Sequence, residues 1–318
     1  MSLSWGDIHR DADPADEHWR GRNDGVSPRI RSYTLEELLT TPFPPRANLL
    51  PPWLPEKGIG MAYAPRGVGK THFALGVAYA IASGGRFLQW QAPASRPVLL
   101  IDGEMPAVVL QERLAVIAAN AEGEPPAGYV RLLPYDLFEE GGPDLSTDEG
   151  QAELEPFIGD AALIVVDNIS TICRGGKENE SESWSAIQAW ALAQRRKGRT
   201  VLFVHHSGKG GDQRGTSKRE DVMDTVIKLS RPSDYSPTEG ARFIVEFTKS
   251  RGFSGGDAEP FEAQLLDGQW VTRAIEDIRI ARILELKAEG LTQRQIAAEV
   301  GCGLATVNRT LKLVVDHD

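Results

Sequence analysis

Short apolar runs alternate with helix-period stretches through the middle of the chain, a pattern that predicts βαβ units and a mostly parallel sheet covered on both faces. The predicted strands are 59–63, 97–101, 130–133, 163–166 and 200–204, each a short apolar block such as Leu163-Ile164-Val165-Val166. Predicted helices fall between them at 71–82, 107–121 and 183–197. After Asp221 strands follow one another without helices, at 225–229, 242–248 and as a hairpin pair around Asp267-Gly268, so the sheet is expected to finish antiparallel. Beyond Thr272 the period is helical again, at 278–289, 292–300 and 304–315, enough for a small three-helix unit.

The first part of the chain reads differently. Residues 1–29 are rich in Asp, Arg, Gly and Pro without a period and are expected to form a mobile arm. A short helical stretch, Thr34 to Leu39, precedes a run through Pro42, Pro44, Pro45, Pro51, Pro52 and Pro55 that reads as an extended connector, with the core starting at Gly58. The expected organisation is an arm over 1–31, an α/β domain over 32–273 and an all-α unit over 274–318.

Composition narrows the function classes. With 41% hydrophobic and 25% charged residues, the 318-residue chain is that of an ordinary globular protein. Its net charge of -10 makes general attraction to polyanions implausible, so any contact with nucleic acid must be local. Cys173 and Cys302 form no C-x-x-C pair, which argues against a disulfide framework or structural zinc and makes a reducing cytoplasm the expected location. No apolar run approaches the roughly 20 residues that span a bilayer, and the first residues do not read as a leader.

The sharpest chemistry lies after the first predicted strand, in Ala64-Pro65-Arg66-Gly67-Val68-Gly69-Lys70-Thr71 and the apolar helix that follows. Strand, glycine loop, Lys-Thr and helix is the context of a nucleotide phosphate loop. Backbone N–H groups must curl around phosphate oxygens, which asks for Gly67 and Gly69 where a side chain would obstruct. Lys70 would neutralise β/γ-phosphate charge and Thr71 would offer its hydroxyl to Mg²⁺ at a helix N-terminus. Ala64 to Thr71, with His72, is therefore assigned to the nucleotide, with ATP and Mg²⁺ as the expected cofactors.

Three further strand ends agree with the loop. Asp167 closes the apolar strand at 163–166, where a ligand of Mg²⁺ or its water belongs. In Val98-Leu99-Leu100-Ile101-Asp102-Gly103-Glu104-Met105-Pro106, Glu104 is placed to polarise an attacking water or, alternatively, to cap the helix after Pro106. His205 and His206 end the strand at 200–204 and serve either as γ-phosphate sensors or as structural histidines.

With these elements in this order, the chain resembles RecA-like P-loop ATPases, specifically the hexameric helicase branch that contains plasmid RepA and DnaB-type proteins. The D-G-E-M-P and H-H-S-x-K strings are most similar to the RepA-type group, and the likeness covers about Leu35 to Val271. It implies that Lys70 and Thr71 bind phosphate and Mg²⁺, that Glu104 is the catalytic base, that Asp167 is the acidic strand-end residue, and that His206 or His205 is the sensor. It also implies that Lys249 and Arg251, in Phe247-Thr248-Lys249-Ser250-Arg251-Gly252, form a finger pair inserted into a neighbouring subunit's ATP. On the residues alone, the same pair reads equally as two solvated charges at a hairpin end.

Two segments are candidates for DNA. The stretch 207–219 is glycine-rich and basic, offering Lys209, Arg214, Lys218 and Arg219 to phosphates without an aromatic for base stacking; in RecA-like rings the corresponding loop holds single strands. In the C-terminal unit, Thr292-Gln293-Arg294-Gln295 is a capping box, and Ala297, Gly301 and Val307 sit at helix-turn-helix positions. Thr306, Asn308, Arg309 and Lys312 would face a major groove, although the unit is not strongly basic and reads alternatively as an oligomerisation appendage. The expectation is a homo-oligomeric, hexameric Mg²⁺-ATP hydrolase acting as a DNA helicase or translocase. The rival readings are an ATP-switched DNA-binding regulator and a recombination mediator.

Overall fold

The computed structural model describes residues 32–174, 180–207 and 220–315. The arm expected over 1–31 lies outside them. Residues 1–45 and 46–318 are two separate units. The described part of the first holds helix α1 (Leu35–Thr40), closed by a capping box in which Thr34 and Glu37 bond each other's backbone.

The second unit opens with a hairpin, β1 (Asn48–Leu50) and β2 (Leu54–Pro55), where a connector was expected. Pro51 and Pro52 make its turn, while Leu49, Leu50, Trp53 and Leu54 between the prolines are buried in the core. The extended-connector reading therefore holds only ahead of Arg46. Next come β3 (Ile59–Ala64), α2 (Lys70–Ser83), a small β4–β5 hairpin (Arg86–Phe87 and Trp90–Gln91), β6 (Val98–Asp102), α3 (Ala107–Asn120) and β7 (Val130–Pro134). Helix α4 (Asp148–Ile158), strand β8 (Leu163–Asp167), α5 (Ile169–Ile172), α6 (Glu180–Arg196) and β9 (Thr200–His206) complete the α/β part. Strands β10 (Thr225–Ser230), β11 (Arg242–Ser250), β12 (Phe261–Leu266) and β13 (Gln269–Ala274) end the sheet.

The nine strands of the main sheet run in the order β13-β12-β11-β10-β3-β9-β8-β6-β7. The six from β10 to β7 are parallel and the last three antiparallel, as the strand spacing predicted. This is the mostly parallel α/β sheet, closed by antiparallel strands, that is expected of a RecA-like fold. Both faces are covered: α2 packs on one with an aromatic cluster of Trp53, Phe73, Phe87 and Trp90, and α4 and α6 pack on the other through Leu154, Ile158, Trp184, Ile187 and Trp190. Gly76 lets α2 meet that cluster, since a Cβ there would lie 2.1 Å from the Phe87 ring.

The parallel register brings β3, β9, β8 and β6 side by side, with Ala64 opposite His206 and Asp167 opposite Asp102. The chain leaves each strand at its carboxyl end, so the loops after all four meet on one edge, the usual ligand side of such sheets. After β13 come α7 (Ile275–Ala288), α8 (Gln293–Val300) and α9 (Leu304–Val315). They share a small core of Ile283, Leu286, Ile296 and Val307, with the Thr292–Gln295 capping box and Gly301 in the left-handed conformation at the turn. No described helix is long and apolar enough to cross a membrane.

Candidate nucleotide site

The loop between β3 and α2 is shaped by two glycines, Gly67 at φ 77° and Gly69 at φ 121°. Gly69 also lies against Phe243, whose ring would be 3.2 Å from an added Cβ. Helix α2 starts at Lys70, so its first N–H groups and the positive end of its dipole face the loop. The Lys70 side chain is buried, and its ammonium donates to the carbonyls of Ala64 at 3.2 Å and Pro65 at 3.0 Å. Burial lowers its pKa, Asp167 and Glu104 pull it back up, and Arg66 lowers it further. Beyond the loop, the guanidinium of Arg231 donates to the Gly67 carbonyl at 3.0 Å and stacks 4.2 Å above the Tyr235 ring.

Asp167 is only 3% exposed. Burial pushes its carboxyl up to about 7; Asp102 and Glu104 push the same way, and the Thr71 hydroxyl and Lys70 oppose them. Its Oδ2 has no hydrogen-bond partner among the described residues, while the Thr71 hydroxyl bonds the same carboxylate. A buried, unsatisfied carboxylate oxygen beside a hydroxyl at the start of α2 fits a hard divalent cation such as Mg²⁺, which takes one or two protein oxygens and completes its shell with phosphate and water. Asp102, in register with Asp167, has another task. Its Oδ1 accepts from the Glu104 N–H at 3.0 Å and the Met105 N–H at 2.6 Å, fixing the turn that presents Glu104. Burial raises its pKa against those two bonds.

Glu104 is held by its Oε2. The Asn168 amide Nδ2 donates to it at 2.6 Å, and His206 Nε2 lies 3.2 Å from the same oxygen. Burial lowers the pKa of His206, Lys70 lowers it further, and Glu104 acts against both. The sequence assigns no role to Asn168, and to Asp102 none beyond opening the D-G-E-M-P string. The signal for Asn168 was there, a strand ending in Asp-Asn beside a second strand ending in Asp-Gly-Glu, but it takes the sheet order to pair them.

The other candidates are placed as follows. His206, and not His205, bonds Glu104; successive residues of β9 point to opposite faces of the sheet. His72 was assigned to the nucleotide, but its side chain lines a cavity of about 480 Å³ behind the loop, between α2, α3 and the β12–β13 hairpin. Burial there, with Arg113 nearby, drops its pKa to about 4. Lys249 and Arg251 donate to the carbonyls of Glu220 and Asp221, the latter at 3.0 Å. Because β11 runs antiparallel to β10, both sit at the opposite end of the sheet from Lys70.

Lys209, Arg214, Lys218 and Arg219 lie outside the described residues. On α9, Arg309 and Lys312 are exposed, whereas Thr306 and Asn308 are half-buried. The Asn308 Oδ1 is enclosed without a hydrogen-bond partner among the described residues.

Comparison with known proteins agrees with this geometry. Residues 27–212 match a family model described as an AAA domain, and residues 275–317 match one described as a homeodomain-like domain. Among solved structures, the chain is similar to the flagellar accessory protein FlaH from Methanocaldococcus jannaschii, at 9% identity and TM-score 0.50, over 69% of this chain and 90% of that one. It is also similar to a KaiC-like protein from Pyrococcus horikoshii OT3, at 14% identity and TM-score 0.51, over 72% of this chain and 99% of that one. At such identities the likeness is one of fold.

Proposed function

The chain belongs to the AAA-domain family, and from that membership we propose that it is a Mg²⁺-dependent ATP hydrolase which assembles into a hexameric ring and works on DNA as a helicase or translocase of the plasmid RepA type. The observation that carries the hydrolase reading is a carboxylate, Glu104, held at one oxygen on the strand-end edge that also carries Lys70 and Asp167. Lys70 and the N–H groups at the start of α2 bind the β- and γ-phosphates. Thr71 and Asp167 hold Mg²⁺, whose charge neutralises phosphate oxygens when bound. Glu104 orients water and takes its proton, with His206 beside it. Lys249 and Arg251 reach the γ-phosphate of an adjacent subunit, a role consistent with their position far from their own loop.

The DNA reading rests on the homeodomain-like match and on Arg309 and Lys312 exposed along α9. The same unit favours a second reading, an ATP-switched regulator in which nucleotide governs site-specific duplex binding.

The test is ATP hydrolysis with and without single-stranded DNA, run on the wild type, Glu104→Gln and Arg251→Ala while mass is followed by light scattering. Turnover stimulated by single strands in a ring-sized species, and reduced at least 100-fold in both variants, is the expected result (removing one such group costs about 10²–10³ or more). Slow, DNA-indifferent turnover by a monomer or dimer, with duplex binding lost on removal of residues after 273, would transfer the assignment to the regulator.

A further inference from the structure

Asn168 belongs to none of the motifs, yet it is fully buried at the end of β8, and the two halves of its amide do different things. The Oδ1 accepts from the Ser170 N–H at 2.9 Å and closes the first turn of α5. That task needs only an oxygen, and Asp or Ser would meet it about as well. The Nδ2 supplies what those residues lack, two N–H donors aimed away from the helix. One meets Glu104 Oε2 at 2.6 Å, and the nitrogen lies 3.2 Å from His206 Nε2.

The Asn168–Glu104 bond is the constant member of this trio. When His206 Nε2 is bare, the ring takes the second amide hydrogen; when it carries a proton, it donates to Glu104 instead. In both arrangements Oε2 remains anchored and Oε1 is the oxygen left to approach water. Asp102 restrains the same residue from its backbone, through the Glu104 and Met105 N–H groups. Backbone and side chain of Glu104 are thus tethered by different strands, β6 and β8. A long acidic side chain that is half exposed would otherwise sample several rotamers, and orientation of a general base is a large part of its effect.

We propose that Asn168 is a positioning residue for hydrolysis, its amide holding Glu104 by one oxygen so that the other faces the attacking water. This rests on the reading of Glu104 as the base and names a group through which that base is aimed. The helix-capping role alone makes a different forecast, and substitution separates the two. Asn168→Asp keeps the cap acceptor and the shape but loses the donors. Asn168→Ser keeps a short acceptor and cannot span to Glu104.

The experiment measures kcat and the affinity for a fluorescent ATP analogue in the full chain, for both variants in the wild-type and Glu104→Gln backgrounds, with far-UV circular dichroism as the check on folding. The expected result is a fall in kcat of about 10-fold or more in each variant, affinity within about 2-fold, and no further fall when Glu104 is already Gln, because two groups acting as one unit are not additive. Unchanged kcat in folded Asn168→Asp, a rise in kcat, or a full additional fall in the Glu104→Gln background would overturn it. Hydrolysis that depends on Glu104 but ignores Asn168 sinks this inference alone. Hydrolysis that ignores Glu104 sinks the ATPase assignment of that residue as well.

Discussion

The α/β part and the C-terminal helices solve the same packing problem at very different scales. The first buries Trp53, Phe73, Phe203 and Phe243 completely, with Trp53 and Phe73 in ring contact on the α2 face of the sheet and Phe203 against Trp184 and Trp190 on the other. Among the described residues, the second has a core of Ile283, Leu286, Ile296 and Val307, supported by Leu291, Ala297, Val300, Cys302 and Leu311 at its margin. A large interior tolerates the polar groups that chemistry needs: Lys70, Asp102, Asp167 and Asn168 are all buried at one edge of it. A small interior has no such reserve, and local devices such as the Thr292–Gln295 box and Gly301 carry a greater share of its stability.

The contrast is most sharply tested by removing one large side chain from each core. Phe73→Ala should cost about 3–5 kcal/mol and lower the main thermal transition, with loss of nucleotide binding because α2 carries Lys70. Ile296→Ala should cost about 2–5 kcal/mol, enough to unfold the C-terminal helices by themselves. Calorimetry would then show an early transition while DNA-independent ATP hydrolysis stays at the wild-type rate. A single shared transition in Ile296→Ala would mean that the two parts fold as one.

A smaller effect, of opposite sign, is expected inside the nucleotide site. Asp167 has a folded pKa near 7, above its unfolded value, so keeping it ionised opposes folding fully above pH 7 and progressively less as the pH falls toward 4. Asp167→Asn should therefore raise stability by about 1–3 kcal/mol at pH 8, with the gain shrinking below pH 7, while Mg²⁺-dependent hydrolysis is lost. Denaturant melts at pH 8 and pH 5 check the sign; equal gains at both would put the cause elsewhere.

Much of this arrangement is legible in the chain because it is written in local signals. The β3 apolar run, the glycines of the loop and the helix after Lys70 are contiguous, and the parallel strands are apolar blocks in separate surroundings. Where the reading departed from the structure, local signals competed. Prolines at 51 and 52 suggested an extended path, yet Leu50 and Trp53 beside them are buried. Helix α4 contains Gly150 and Pro156, which mask its period, although Thr147 caps it and Leu154 and Ile158 face the core. Gly150 is needed there because a Cβ would lie 2.1 Å from the Asp144 carbonyl oxygen. The tether from Asn168 to Glu104 joins residues 64 positions apart, and no period or motif reports a contact made only by strand order.

The reversal of direction at β11 has a consequence for stoichiometry. Because that strand returns along β10, one chain displays its phosphate loop at one end of the sheet and Lys249 with Arg251 at the other. Under the proposed function, a complete reaction centre is then shared property of a junction, and a chain in isolation owns two unmatched halves. Chains disabled at Glu104 and chains disabled at Arg251 would each be silent alone, yet when mixed they would rebuild working junctions wherever the intact halves meet. Recovery of hydrolysis from two inactive preparations would count those junctions directly.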